Sequence, residues 1–304
     1  MNLSHYGVIA VDGEDRRSFL QGQLSNDLSS LSPTTSQLAA LSNPQGRAVA
    51  VMRLVELDDA ICLLLGSESV QGVLARLQRY VLRAKVTLSD HSNRISVLGI
   101  LDKDKKYIEK HLGISFPTHA GTVVPGAGLR VLSAEGDLPR WLLLTPADRA
   151  QQLTRELGWT DDPGYSESWR LSDLRAGLPV VHPQTQEMFL PQMLNLDLLG
   201  GISFTKGCYT GQEVIARTQN LGRIKRRMLR FSTEADEQPM PGDAIYVGKD
   251  KAGDVVTAAP GDGGWELLAV MKLSTQTKNL SLDEQGQRVL TSLPLPYKIP
   301  ELDT

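Results

Sequence analysis

The sequence predicts an α+β protein: two related α+β halves followed by a small β-barrel or sandwich at the C-terminal end. Three observations predict this. From Tyr6 to Gly177, short apolar runs of strand character alternate with segments of helical character, the pattern of packed α+β layers. The strand, helix, strand order that begins at Tyr6 recurs from Ile95. After about residue 228 helical periodicity fades, and Pro239, Pro241, Gly242, Pro260, Gly261, Gly263 and Gly264 punctuate short apolar runs, as they do in small all-β domains.

Taken in order, Tyr6–Asp12 reads as a strand. Gly13–Gln21 reads as a short helix with Glu14 and Asp15 in its first turn, where acids complement the helix dipole, and Gly22 at its C-cap. Asn43-Pro44-Gln45-Gly46 is a turn leading into an apolar strand from Ala48 to Leu57, with Ile61–Leu65 as its hairpin partner. Ser67 caps a helix whose apolar positions Val70, Val73, Leu74, Leu77 and Val81 follow the 3.6-residue period. Val86–Ser89 is extended. In the second half, Ile95–Leu101 and Trp141–Leu144 are strands. Thr145-Pro146 opens a helix to Leu157 with Gly158 as its cap, and Ser166 opens another that ends at Gly177. Ala244–Val247 and Leu267–Met271 are strands of the last region.

With 304 residues the chain holds two or three domains and a sizeable core. A division within the polar, acidic stretch 232–238 separates the α+β region, assigned as 1–230, from the C-terminal domain, 231–304. The net charge of −3 implies no global attraction to nucleic acid or membrane, so any basic site is local. Only two cysteines occur, far apart and outside any C-x-x-C pair, which argues against a disulfide framework or a cysteine-rich zinc site, and no metal ligands are assigned. No secretory signal and no membrane span is expected, and the expected location is the cytoplasm.

Cys62, inside Ile-Cys-Leu-Leu-Leu, reads as a small core hydrophobe. Cys208 lies between Gly207 and Gly211, where the backbone can turn tightly and admit another molecule. Lys206 precedes it by two residues. Arg217, Arg223, Lys225, Arg226, Arg227 and Arg230 follow without an intervening acid from Val214 to Thr233. Nearby cations favour thiolate over thiol, so Cys208 is the candidate reactive group. Gln212 and Glu213 can hydrogen-bond a polar ligand or start a helix. The basic stretch 217–230 has three readings: a solvated strand face, a binding site for ligand carboxylates, or an RNA-phosphate contact. Trp169 shares a helix face with Asp173 one turn on, and reads either as core or as a flat ring for a heteroaromatic ligand. A hydrolase site is disfavoured: all five histidines precede Cys208 and no peptidase signature surrounds them. Gly242–Lys249 has the wrong spacing for a phosphate-binding P-loop.

Five segments together resemble one family. Phe189-Leu-Pro-Gln-Met-Leu-Asn195, Gly200-Gly-Ile-Ser-Phe204 and Lys206-Gly-Cys-Tyr-Thr-Gly-Gln-Glu213, with Phe19-Leu-Gln-Gly-Gln-Leu-Ser-Asn-Asp27 and Asn43-Pro-Gln-Gly-Arg47, are similar to the YgfZ family of folate-binding proteins, relatives of the glycine-cleavage aminomethyltransferase. The ending Leu295-Pro-Tyr297 also resembles that family's. The resemblance spans nearly the whole chain. It implies two α+β subdomains forming a folate-binding body and a C-terminal β-barrel.

The resemblance also implies tetrahydrofolate, or a one-carbon derivative of it, as cofactor. The partners it implies are iron–sulfur enzymes, including a tRNA methylthiotransferase, which the protein would help to assemble or repair. Trp169 and Tyr6 correspond to folate-associated positions, Tyr6 standing where a relative has tryptophan. Arg175, Tyr209, Gln212 and Arg217 complete the candidate folate contacts, although Arg175 stands where aminomethyltransferases carry a pterin-binding glutamate. Cys208, Lys206 and Asp27 are the candidate catalytic groups. A folate-dependent transferase of aminomethyl or formaldehyde units is the alternative, with Asp27 as acid/base, and direct tRNA binding through 217–230 ranks third.

Overall fold

The computed structural model describes residues 1–300 except 127, 137, 161 and 221–223, so Arg223 of the basic stretch lies outside the described residues. The first half contains β1 (Tyr6–Asp12), α1 (Arg16–Gln21), β2 (Ser36–Ser42), β3 (Ala48–Leu57), β4 (Ala60–Gly66), α2 (Val70–Gln78) and β5 (Thr87–Asp90). Its five strands form one antiparallel sheet in the order β2-β3-β4-β1-β5. The second half contains β6 (Ile95–Leu101), α3 (Asp102–Leu112), β7 (Val123–Gly126), β8 (Leu129–Ser133), β9 (Arg140–Pro146) and α4 (Ala147–Glu156), with the sheet order β6-β9-β8-β7.

The two sheets share a core. In β1 and β4, Ile9, Val11, Ile61, Leu63 and Leu65 face one way and pack with Leu20 of α1 and Val73 of α2. Val8, Cys62 and Leu64 face the other way and pack with Val97, Leu142 and Leu144 of the second sheet. The far side of that sheet, with Leu98, Ile100, Trp141 and Leu143, is covered by Ile108 of α3 and Ala150 and Leu153 of α4. Helices therefore cap a sandwich on both sides. Strands buried on both faces read as continuous apolar runs rather than as alternation, which is why they stood out in the sequence.

Next comes α5 (Pro163–Arg175), which sends Tyr165 and Trp169 into the sandwich and Leu174 against the C-terminal region. After α6 (Gln212–Asn220), β10 (Arg226–Thr233), β11 (Ala244–Val247), β12 (Asp250–Gly261), β13 (Gly264–Lys272), β14 (Leu280–Ser281) and β15 (Val289–Leu293) close a six-stranded barrel. Phe231, Ile245, Val255, Leu267 and Met271 are among the residues that fill it. The fold is thus mixed α+β, two antiparallel sheets and a C-terminal barrel, and of the two all-β alternatives the chain adopts the barrel. Its first strand opens at Arg226 and straddles the expected division after residue 230.

Several local expectations change. Helix α1 starts at Arg16, because Gly13 takes φ +108° against the Lys85 carbonyl and Glu14 and Asp15 turn to Lys85, by an ion pair at 2.8 Å and a bond to its N–H at 2.8 Å. Helix α2 stops at Gln78, leaving Val81 to pack from a turn. Helix α5 begins at Pro163 rather than Ser166, since the Asp162 carboxylate accepts from Gly164 N–H at 2.9 Å. The strands β2, β7 and β8 and the helix α3 were not expected. In α3, DKDKKYIEKHL, only Ile108 is buried, too little apolar signal for periodicity to register.

Candidate functional site

The motif segments, far apart in sequence, meet beside the first sheet. Gly211 has φ +82°, and a Cβ there would stand 2.4 Å from the Asn43 carbonyl and 2.9 Å from Gly46 Cα. The Cys208 loop therefore seats directly on the 43–46 turn, and glycine is required for that approach. The Ser25 hydroxyl donates to Gly201 O at 2.6 Å, and Asn26 Nδ2 donates to Gly200 O and Leu38 O at 2.8 Å each. Asn195, with φ +59°, donates from Nδ2 to Met228 O at 2.7 Å.

Lys206 locks this assembly. It is buried, and its ammonium donates to Leu24 O at 2.8 Å and Asn26 O at 2.6 Å while lying 5.1 Å from the Tyr209 ring centroid. Burial pushes its pKa down to about 8, partly offset by Asp27. Sequence proximity made Lys206 a partner for Cys208; the geometry makes it a tether between the Cys208 loop and the 24–26 turn. Gln212 braces the same loop, donating from Nε2 to Lys206 O at 3.4 Å. Tyr209 is buried under the lysine, and burial pushes its hydroxyl up to about 12. Cys208 itself is exposed, and Gly207 has open space around it.

Asp27 caps a turn. Its Oδ1 accepts from Ser29 N–H at 2.9 Å and Gln21 Nε2 at 3.0 Å, bonds that hold the carboxyl below its ordinary range. A carboxylate so held is a weak base.

The basic stretch is largely ion-paired. Arg227 makes a buried two-pronged pair with Asp197 at 2.6 and 2.9 Å. Arg226 meets Asp254 at 3.0 Å, and Arg230 meets Glu266 at 2.7 Å. Arg217 lies on the exposed face of α6 beside Glu213 at 2.6 Å. Arg175 bridges α5 to the barrel through Glu266 at 2.6 Å and Asp262 at 3.3 Å.

A second polar centre joins the two halves. Tyr6 donates its hydroxyl to Asp173 Oδ2 at 2.8 Å, and Arg140 Nη1 donates to Asp173 Oδ1 at 2.6 Å. Arg140 also donates from Nη2 to Glu135 O at 2.8 Å, and Glu135 pairs with Arg53. Burial, then Asp173, pushes the Tyr6 hydroxyl's pKa upward. Trp169 is 1% exposed, lies 4.7 Å from the Arg140 guanidinium, and its ring fits only because Gly99 lacks a Cβ, which would come within 2.7 Å. Its indole N–H is buried without a hydrogen-bond partner. Sequence reasoning noticed the Trp169–Asp173 spacing but missed Arg140 and Arg53, charged residues at or within apolar strands.

Two cavities adjoin this network. The larger, about 650 Å³, is bordered by Asn26, Gln37, Arg53, Glu135, Ala176 and Tyr297, among others. Gln37 donates its amide to Asp27 O at 2.9 Å and Ser30 Oγ at 2.6 Å, which fixes the side chain, and its Oε1 is buried without a partner. The smaller, about 350 Å³, borders Tyr6 and Asp173. Cavity, tether and motif loop thus share Asn26, which both accepts from Lys206 and faces the larger cavity. Among the described residues no three His, Cys, Asp or Glu side chains cluster as metal ligands, and no helix is long and apolar enough to cross a membrane.

No protein-family model matches the chain. Its fold is that of the glycine cleavage system aminomethyltransferase T from Bartonella henselae, with a TM-score of 0.76 over 96% of this chain and 83% of that one at 14% identity. It is 30% identical over 306 residues to the tRNA-modifying protein YgfZ of Colwellia psychrerythraea, covering 98% of this chain and 93% of that one. With the motif segments assembled into one site and the alignment covering 98% of the chain, the chain belongs to the YgfZ family and shares the fold of aminomethyltransferase T.

Proposed function

We propose that the protein binds tetrahydrofolate, or a one-carbon derivative, in the larger cavity and acts in the cytoplasm as an accessory factor for iron–sulfur enzymes, among them one that methylthiolates tRNA. The observation that carries folate binding is Gln37. Gln37 borders a cavity of about 650 Å³, and its carbonyl oxygen is a buried acceptor without a partner, held by two bonds from its own amide. A pterin edge offers the N–H donors such an acceptor needs. Arg53 and its ion-pair partner Glu135 border the same space, and the Glu135 carbonyl accepts from Arg140, itself held by Trp169 and Asp173. The Trp169 role in this reading is to fix Arg140 from below. Tyr6 holds Asp173 from the other side.

A bound reduced folate supplies a carrier for one-carbon units. The chain's own residues bind and orient it, and the exposed Cys208 thiol stands on a loop whose tether, Lys206, bonds to the cavity residue Asn26. In this reading residues 1–230 are the folate-binding region and 231–304 the barrel domain, with β10 crossing the division and the terminal segment lending Tyr297 to the cavity wall. Support for the iron–sulfur and tRNA role is the family membership.

Calorimetry with tetrahydrofolate tests the reading. Wild type and Cys208→Ala bind equally, whereas Gln37→Leu and Trp169→Ala weaken binding. Unchanged affinity in Gln37→Leu removes the larger cavity as the folate site. Turnover of methylene-tetrahydrofolate by the purified protein would instead favour a transferase.

A further inference from the structure

The smaller cavity lies where the start of β1, α5 and barrel strand β12 meet, bordered by His5, Tyr6, Asp173 and Thr257. Its size, about 350 Å³, is at the lower end of the ~300–1,000 Å³ range of small-molecule sites. Two features of its polar lining call for a ligand.

The first is His5. Both ring nitrogens are buried and neither has a hydrogen-bond partner. The ring is tilted 39° against Tyr6 with centroids 4.7 Å apart, so its position is fixed. Burial and the nearby Arg170 charge push its pKa down to about 4, leaving a neutral imidazole with one donor and one acceptor. A histidine that is part of an ordinary core satisfies at least one of these.

The second is Arg170, an exposed residue that borders the cavity and, among the described residues, makes no ion pair. The carboxylates facing the same space are committed elsewhere. Asp173 accepts from Tyr6 and from Arg140. Glu68 pairs with His182 Nδ1, whose Nε2 lies 3.2 Å from Thr257 Oγ1. Leu174, Val180 and Met240 supply apolar wall.

We propose that this cavity is a second ligand site, distinct from the folate cavity, for a small molecule bearing a carboxylate on an apolar body. The carboxylate pairs with the Arg170 guanidinium, whose fork matches two carboxylate oxygens. The His5 N–H donates to the same group or to its neighbour, and the body lies against Leu174, Val180 and Met240.

The test uses the full-length protein labelled with ¹⁵N-histidine and phenylacetate as probe, with uncharged phenylacetamide as control. Phenylacetate shifts the His5 ring signals saturably, and Arg170→Gln weakens it by about tenfold or more, the worth of a charged hydrogen-bonded pair. Phenylacetamide is insensitive to Arg170→Gln. Tetrahydrofolate calorimetry is unchanged in Arg170→Gln. No His5 shift at millimolar phenylacetate, or equal phenylacetate affinity in Arg170→Gln, overturns the proposal. Loss of tetrahydrofolate binding in Arg170→Gln also overturns it, by making this cavity part of the folate site.

Discussion

Arg140 donates from Nη1 to Asp173 Oδ1 at 2.6 Å, with the arginine side chain 1% exposed and the aspartate 12%. Arg140 comes from the second sheet and Asp173 from the helix that reaches the barrel, so this one pair ties together three parts of the fold. Removing one partner of a buried pair leaves an uncompensated charge. Asp173→Ala is therefore expected to destabilise the protein by about 3–5 kcal/mol in urea titrations. A loss below about 1 kcal/mol, the range of exposed pairs, would mean that water screens Arg140.

The two cysteines should differ sharply in reactivity. Cys208 is exposed, whereas Cys62 is fully buried and burial pushes its thiol up to about 12. Native protein should react with one equivalent of dithionitrobenzoate, and the second should appear only on unfolding. Cys208→Ser should abolish the native reaction and shift stability by no more than about 0.5 kcal/mol.

Lys206 sets a stability change at alkaline pH. Its folded pKa is about 8 against an ordinary 10.5, so between these values the unfolded chain binds more protons than the folded one. Stability contributed through this group is diminished below about 8 and recovered as pH rises toward 10.5. The neutral amine keeps two N–H donors for Leu24 O and Asn26 O. Lys206→Met should lose about 1–3 kcal/mol by orphaning those carbonyls, and should lack the wild-type gain between pH 8 and 10 in chemical denaturation.

His5 gives the same sign of dependence in acid. The folded protein resists protonation until about 4, while the unfolded chain takes the proton near 6.5. Stability from this group is complete above 6.5 and is lost as pH falls toward 4. His5→Leu should flatten that part of the curve relative to wild type. Parallel curves for the two proteins would show that His5 titrates normally.

Gly211 and Gly200 provide a matched pair. Both have positive φ, +82° and +68°, but only at Gly211 would a Cβ collide, 2.4 Å from Asn43 O. Gly200→Ala should lose only backbone strain, about 1 kcal/mol. Gly211→Ala should lose several-fold more and release the Cys208 loop, detected as faster hydrogen exchange at 206–212.

Much of the fold was legible in the sequence. The strands β1, β3, β4 and β6 match their apolar runs within a residue at each end, because strands buried on both faces are apolar at most positions. The proline and glycine punctuation after residue 228 marked the barrel's turns. Weakly apolar elements escaped: α3 buries one residue, and β2 begins with half-buried Ser36 and Gln37, which border the larger cavity. Gln37 was invisible for the same reason that it suits a ligand, a polar residue at a strand start carrying no pattern.

The sequence by itself determined the class of fold, the core identity of Cys62 and the singular character of the Lys206–Glu213 segment, since these rest on local periodicity, turn chemistry and composition. Only the tertiary structure decided partners. It turned the Lys206 ammonium to carbonyls 182 and 180 residues away, paired Arg226, Arg227 and Arg230 with acids from other segments, and set Tyr6 against Asp173 across 167 residues. The reason is physical: hydrogen bonds and ion pairs act over a few ångströms of space, and chain closure, not spacing along the sequence, determines which groups come that near.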